Sequence, residues 1–173
     1  AYENGAFREV VLSARVVMPS GEVRDFAGAD LDMISDAEGI TGIVTAVTLR
    51  VRKDESEVVW AALFEDPSQL AAAFQAVRRA GLPFWSLSFI NPTMADLKNQ
   101  LPPRLEHGYP AHEQRPNMPV GYIAVFVAPA SRRAALEKPL QEIVANAGGA
   151  MLDDGLAAHE WGERFDILHV KRL

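Results

Sequence analysis

"LDMISDAEGITGIVTAVTLRV", residues 31 to 51, changes character halfway along. Its first half is acidic and loop-like and breaks on Gly39 and Gly42. The second half is a strand built largely of β-branched residues, which pack well on a pleated surface. Alternation puts Ile43, Thr45, Val47, Leu49 and Val51 on one face and Arg50 and Arg52 on the other. A carboxylate, Glu38, and two bare glycines thus stand directly before a strand patterned for burial. Glycine reaches backbone angles closed to other residues and lets another group approach the main chain. Such a turn is either a tight connection or a place where a ligand meets the backbone, and chemistry alone leaves both open.

Upstream of it, "EVVLSARVVM" (9 to 18) reads as a strand and "PSG" (19 to 21) as a turn, since Pro presets one turn angle and Gly accepts a positive one. "EVRDF" then returns to complete a hairpin. Residues 1–53 are therefore β-rich, and the charged run "KDESE" (53 to 57) marks the boundary. From 57 to 156 a strand–helix–strand rhythm occurs twice. "EVVWAALFE" is followed by a helix with Asp66 as N-cap, Pro67 at the first helical position, Gln69 completing a capping box and Gly81 ending it. "LPFWSLSFI" is the second strand. "VGYIAVFVAP" opens the second copy, and Leu136, Leu140, Ile143 and Ala147 fall on one face of its helix. Pro139 inside that helix predicts a kink or a late start. "AMLDDGLAAHEW" is read as the closing strand or its remnant, with Asp153, Asp154 and Gly155 as a turn. The fold class expected is α+β, with an antiparallel ferredoxin-like sheet and helices on one face at 57–156. Residues 157–173 are a truncated continuation. Asn91 and Pro92 open a short helix in the long connection from 91 to 119, whose length marks it as functional or disordered.

At 173 residues, 49% of them hydrophobic, the chain suits one medium domain or two small ones. There is no cysteine, so disulfides, thiolate nucleophiles and Cys-ligated metals are excluded within it. Net charge is -6 and the basic residues are scattered, which argues against a nucleic-acid partner. No apolar run is long enough to span a bilayer. The composition suits a cytoplasmic protein, with peripheral association of a longer parent with a membrane left open. Both ends read as cut, and a cut domain exposes sheet edges and apolar surface through which copies can pair as a homo-oligomer.

The four histidines, His107, His112, His159 and His169, lack metal-ligand spacing, so no metal site is expected. Ser86 and Ser88 have no nucleophile elbow around them, and neither a P-loop nor a Rossmann fingerprint is present.

"ADLDMISDAEGITGIVTAVTLRV" resembles the D-L…G-S-E-G-x-L-G-I-V-T-x-x-T-L-R segment of FAD-linked oxidases and dehydrogenases of the vanillyl-alcohol-oxidase type, closest to the glycolate oxidase flavoprotein subunit and the D-lactate dehydrogenases. The hairpin before it and "EWGERF" near the end fit the same pattern. Asp36 and Ala37 stand where the family has Gly-Ser, and Thr41 where it has Leu. The resemblance implies an internal fragment: residues 1–53 as the end of the FAD-binding subdomain and 57–156 as the cap. It further implies that Glu38, Gly39, Ile40, Thr41, Gly42, Ile43 and Val44 contact FAD. The parent is then a flavoprotein oxidising a small 2-hydroxy acid, glycolate or D-lactate. Arg104, His107, Tyr109, His112 and Arg115 are the candidates for holding the substrate carboxylate. The fragment alone is expected to bind FAD weakly or not at all. The alternative from another class is a non-catalytic α+β interaction module.

Overall fold

The computed structural model describes residues 2–100 and 117–162. The chain divides into two compact units, Ala1–Asp54 and Glu55–Leu173, with the division inside the charged run. Antiparallel sheets and helices make it an α+β protein.

In the first unit, β1 (Val11–Val17) pairs with β2 (Val23–Ala27) on one side and β3 (Ile43–Leu49) on the other, giving the order β2-β1-β3. The hairpin turn is drawn closed by Met18 N–H on Glu22 O at 2.8 Å, with Gly21 at φ +84°. Ala14, Val16, Phe26 and Leu31 form a small core. Phe26, Ala14 and Val47 lie in one cross-strand row.

The expected alternation of β3 does not survive. Arg15 pairs with Ala46 but Val16 with Val44, so Thr45 is an extra residue, a β-bulge, and its Oγ1 donates to Arg15 O. The bulge shifts the pleat by one position. Val44 and Val47 come onto the face of Ala14 and Val16, while Ile43 falls on the other. Nor is the strand buried, since all seven of its residues are exposed.

The second unit is a four-stranded antiparallel sheet in the order β5-β6-β4-β7, from β4 (Glu57–Phe64), β5 (Ser86–Ile90), β6 (Tyr122–Pro129) and β7 (Ala150–Met151). With α1 (Pro67–Arg79) after β4 and α3 (Arg133–Asn146) after β6, this is the ferredoxin-like topology. β4 and β6 are buried on both faces. One face carries Trp60, Phe64 and Phe126 against Phe84 and Phe74, with edge-on ring contacts at centroid distances of 6.0 Å for Trp60–Phe84 and 5.9 Å for Phe74–Phe126. Helices α1 and α3 pack together on that face through Leu70, Ala73, Val77, Leu136, Leu140 and Val144.

The opposite face, Ala61, Ile123, Val125 and Val127, is also covered, by α2 (Pro92–Gln100) and α4 (Asp154–Gly162) through Ala95 and Ala157. The second helix pair explains why these central strands read as nearly continuous apolar runs. β7 is only two residues long, and the acidic pair read as a turn starts α4 instead. Asp153 Oδ1 accepts from Leu156 N–H at 3.0 Å, as an N-cap does. Helix α3 begins at Arg133, after a 3-10 turn, and continues through Pro139.

Asp66 caps α1, accepting from the N–H groups of Ser68 and Gln69, while Gln69 Oε1 reaches back to Glu65 N–H. The hydrogen bond from the Ser68 hydroxyl, followed by those from the main chain, holds the Asp66 carboxyl below its usual pKa. A depressed folded-state pKa means a contribution that is full above the unfolded value and lost as pH falls through the folded one. Accordingly, Asp66→Ala is expected to melt below the wild type at neutral pH, with the gap closing in acid. Thermal melts across the carboxylate range check this; a gap independent of pH contradicts it.

Candidate functional site

The segment singled out by sequence folds as a projecting turn. Ile40 N–H donates to Ala37 O at 2.8 Å, with Glu38 at φ +49° and Gly39 at φ +83° between them. Positive φ at both central residues is the type I′ turn. Asp36, at φ +53°, lies just before it. Non-glycine residues in the left-handed region cost about 1 kcal/mol or more each, and such strain concentrates at ligand sites and switches.

The two glycines serve different ends. A Cβ on Gly42 meets Val16 Cγ1 at 2.6 Å and Val17 O at 2.8 Å, so Gly42 is bare because β1 passes against it. A Cβ on Gly39 meets nothing within 4 Å. Gly39 therefore satisfies the turn's backbone angle and leaves open space beside it. Apolar side chains of the segment are uncovered: Ile40 is 81% exposed, and Ile43 at 69% and Val44 at 49% stand on opposite faces of β3. Glu38 is also exposed, and Thr41 is half-buried. Bare main chain at Gly39 next to an uncovered Ile40 suits a flat apolar group lying along it.

Behind β3 lies a cavity of about 240 Å³ lined by Phe7, Val11, Ala14, Leu31, Ile34 and Val47, joined to the turn segment through Asp36 and Val44. Arg8 lines it too. Its guanidinium is held by Asp32 Oδ1 at 2.7 Å and Gly28 O at 2.9 Å. The remaining ion pairs of this unit, such as Arg15 with Asp25 across β1 and β2, are exposed. The hydrogen bond from Arg15 lowers the Asp25 carboxyl's pKa.

Arg104, His107, Tyr109, His112 and Arg115 lie outside the described residues. What is described is the closure of the two flanks of their segment. The Asn99 side chain donates to Met118 O at 2.9 Å and accepts from Met118 N–H at 2.8 Å. Next to this clip is a group that sequence reasoning passed over. Lys98 Nζ meets Glu160 Oε1 at 2.5 Å, with both side chains buried, near the C-terminal ends of α2 and α4. Glu160 Oε2 has no partner among the described residues. The signal was a Glu in the apolar helical run "GLAAHEWG"; its partner, 62 residues away, gave none. No three His, Asp or Glu side chains gather as a metal site among the described residues, and no helix there is long and apolar enough to cross a membrane.

No family model matches the chain, and no curated protein does. Solved structures do. An alkyldihydroxyacetonephosphate synthase in crystal form P1 aligns over 92% of this chain and 32% of its own, at 13% identity and TM-score 0.60. The same synthase in form P212121 aligns over 85% and 29%, at 16% identity and TM-score 0.55. This chain spans about a third of the synthase's length and shares the fold of that third.

Proposed function

We propose that this chain is a segment of an FAD-dependent oxidoreductase, in which residues 38–44 form one wall of the flavin site and the ferredoxin-like unit is the cap. One observation carries the reading. The turn at 37–40 presents strained, uncovered main chain beside open space at Gly39, with Ile40 exposed next to it and Ile43 and Val44 exposed on the two faces of the strand that follows. A structural connection needs Gly42 and the turn hydrogen bond; it does not need an uncovered Ile40 beside them. The sequence resemblance and the shared fold with a third of the synthase support the same reading.

The residues present fit the cofactor in kind. Main-chain amides in a turn with positive φ suit a ring edge or phosphate oxygen, and exposed Ile and Val suit the face of a planar ring. FAD, when bound, supplies the hydride acceptor, and the chain supplies orientation and shelter from water. The substrate proposed is a small 2-hydroxy acid of the glycolate or D-lactate type. Its support is the sequence resemblance, with Arg104, His107, Tyr109, His112 and Arg115 proposed to hold the carboxylate. The test is the visible spectrum of the longer polypeptide that carries this segment. A yellow protein bleached by glycolate or D-lactate under anaerobic conditions is expected. A yellow protein that neither acid bleaches rejects the substrate and keeps the flavin. A colourless protein rejects the oxidoreductase and favours the interaction module.

A further inference from the structure

The outer edge of β5 is open, since the order β5-β6-β4-β7 leaves no strand beyond it among the described residues. We propose that this edge pairs with the same edge of a second copy of the chain, joining two four-stranded sheets into one. The pairing does not depend on the flavin reading above.

The strand itself is the first argument. Ser86–Ile90 holds an unbroken register against β6 and carries neither charge nor proline, the residues with which sheets commonly blunt an edge. β3 is also an edge, but its bulge at Thr45 breaks the ladder. The far edge of the second unit's sheet, β7, is only two residues long. Of these edges, β5 is the one best shaped to take another strand.

The aromatic cluster is the second. Leu87 and Phe89 pair with Phe126 and Ala124, which puts them on the face covered by α1 and α3. Phe89 is nevertheless 55% exposed. Its ring meets Phe74 of α1 at a centroid distance of 6.3 Å, and Phe74 meets the buried Phe126 at 5.9 Å. The core cluster therefore runs out to the surface at this edge, as an aromatic anchor does in an interface.

Helix α1 is the third, and it selects the occupant. Its ring contacts on β5 and β6 set it above those two strands. A twofold axis beside β5, normal to the sheet, brings α1 next to its own mate, antiparallel. The separation is two strand spacings, about 10 Å, which is helix-packing distance. Phe74 marks the flank of α1 on that side, where Pro67, Ala71, Phe74 and Arg78 follow one another at helical spacing. Ala71 in the middle lets the two helices approach. Arg78, at the C-terminal end, comes to the N-terminal end of the mate, where Glu65 is exposed. Neither side chain makes an ion pair among the described residues. Opposite charges at opposite ends of one flank complement themselves under a twofold, the symmetry that a dimer of copies requires. A partner of another kind has no need of that pattern.

A five-residue strand and one helix flank make a small, transient interface, so the 173-residue chain is followed by sedimentation velocity from about 5 to about 500 μM. A dimer forming within that range is expected. Phe89→Lys is expected to keep the chain monomeric, while Thr48→Lys on the β3 edge leaves the dimer as it is. Arg78→Glu, on the helix surface and away from the core, is expected to weaken the dimer about tenfold, and Arg78→Glu with Glu65→Arg to restore it. This charge swap decides the matter even where Phe89→Lys fails to fold. Four results overturn the proposal: a monomer at every concentration, a Phe89→Lys protein that pairs as the wild type does, pairing lost in Thr48→Lys, or a charge-swapped double variant no stronger than Arg78→Glu alone.

Discussion

Lys98→Met is expected to destabilise the second unit by about 3–5 kcal/mol. The methionine replaces the stem of the lysine and keeps the packing, so the loss is electrostatic. It leaves the Glu160 carboxylate buried between α2 and α4 with neither oxygen paired among the described residues, where its other oxygen already lacks a partner. The site is also poor for an anion because Glu160 lies near the C-terminal end of its helix, the negative end of the dipole. Removing both charges should undo most of the damage. Lys98→Met with Glu160→Leu is expected within about 1 kcal/mol of the wild type, since a well-packed apolar pair is no worse than a buried ion pair. All three tryptophans, Trp60, Trp85 and Trp161, belong to the second unit, so urea unfolding followed by tryptophan fluorescence reads this unit alone. A Lys98→Met protein as stable as the wild type contradicts this assignment.

The second large effect falls in the first unit. Gly42→Val is expected to cost about 3 kcal/mol, because its Cβ lands 2.6 Å from a methyl of fully buried Val16 and 2.8 Å from a main-chain carbonyl. Neither neighbour can yield without moving β1. Gly39→Ala, in contrast, meets open space and carries only the penalty of a left-handed alanine, about 1 kcal/mol. Hydrogen exchange of the β1 amides separates the two variants. Equal loss of protection in both would show that the two glycines have one role rather than two.

Much of the second unit is written locally. Asp66, Pro67 and Gln69 announce the start of α1, and Asn91 and Pro92 the start of α2, where Asn91 Oδ1 accepts from Met94 N–H at 2.8 Å. The strand–helix rhythm then fixes the ferredoxin-like topology, because only a few chain paths bury those strands. Features depending on distant partners are not legible. The bulge at Thr45 arises from the register against β1, so a strand read by itself shows perfect alternation. The start of helix α4 reads as a turn because Asp-Asp-Gly is turn chemistry unless the first Asp caps a helix. That α2 and α4 cover the second face of the sheet depends on tertiary packing, as does the Lys98–Glu160 pair. In the turn at 37–40, sequence shows which residues are bare, but only the structure shows that Gly42 answers to β1 and Gly39 to open space.

The flavin reading stands or falls on residues 38–44 lying along the cofactor. Ile40 is the best probe, because at 81% exposure its replacement by Asp should change folding by no more than about 0.5 kcal/mol. The measurement is the flavin-to-protein ratio, from visible absorbance, of the longer polypeptide with and without Ile40→Asp. The wild type is predicted to hold flavin stoichiometrically and the variant to lose most of it at unchanged apoprotein melting temperature. A colourless wild type, or a variant that keeps its full flavin, contradicts the reading.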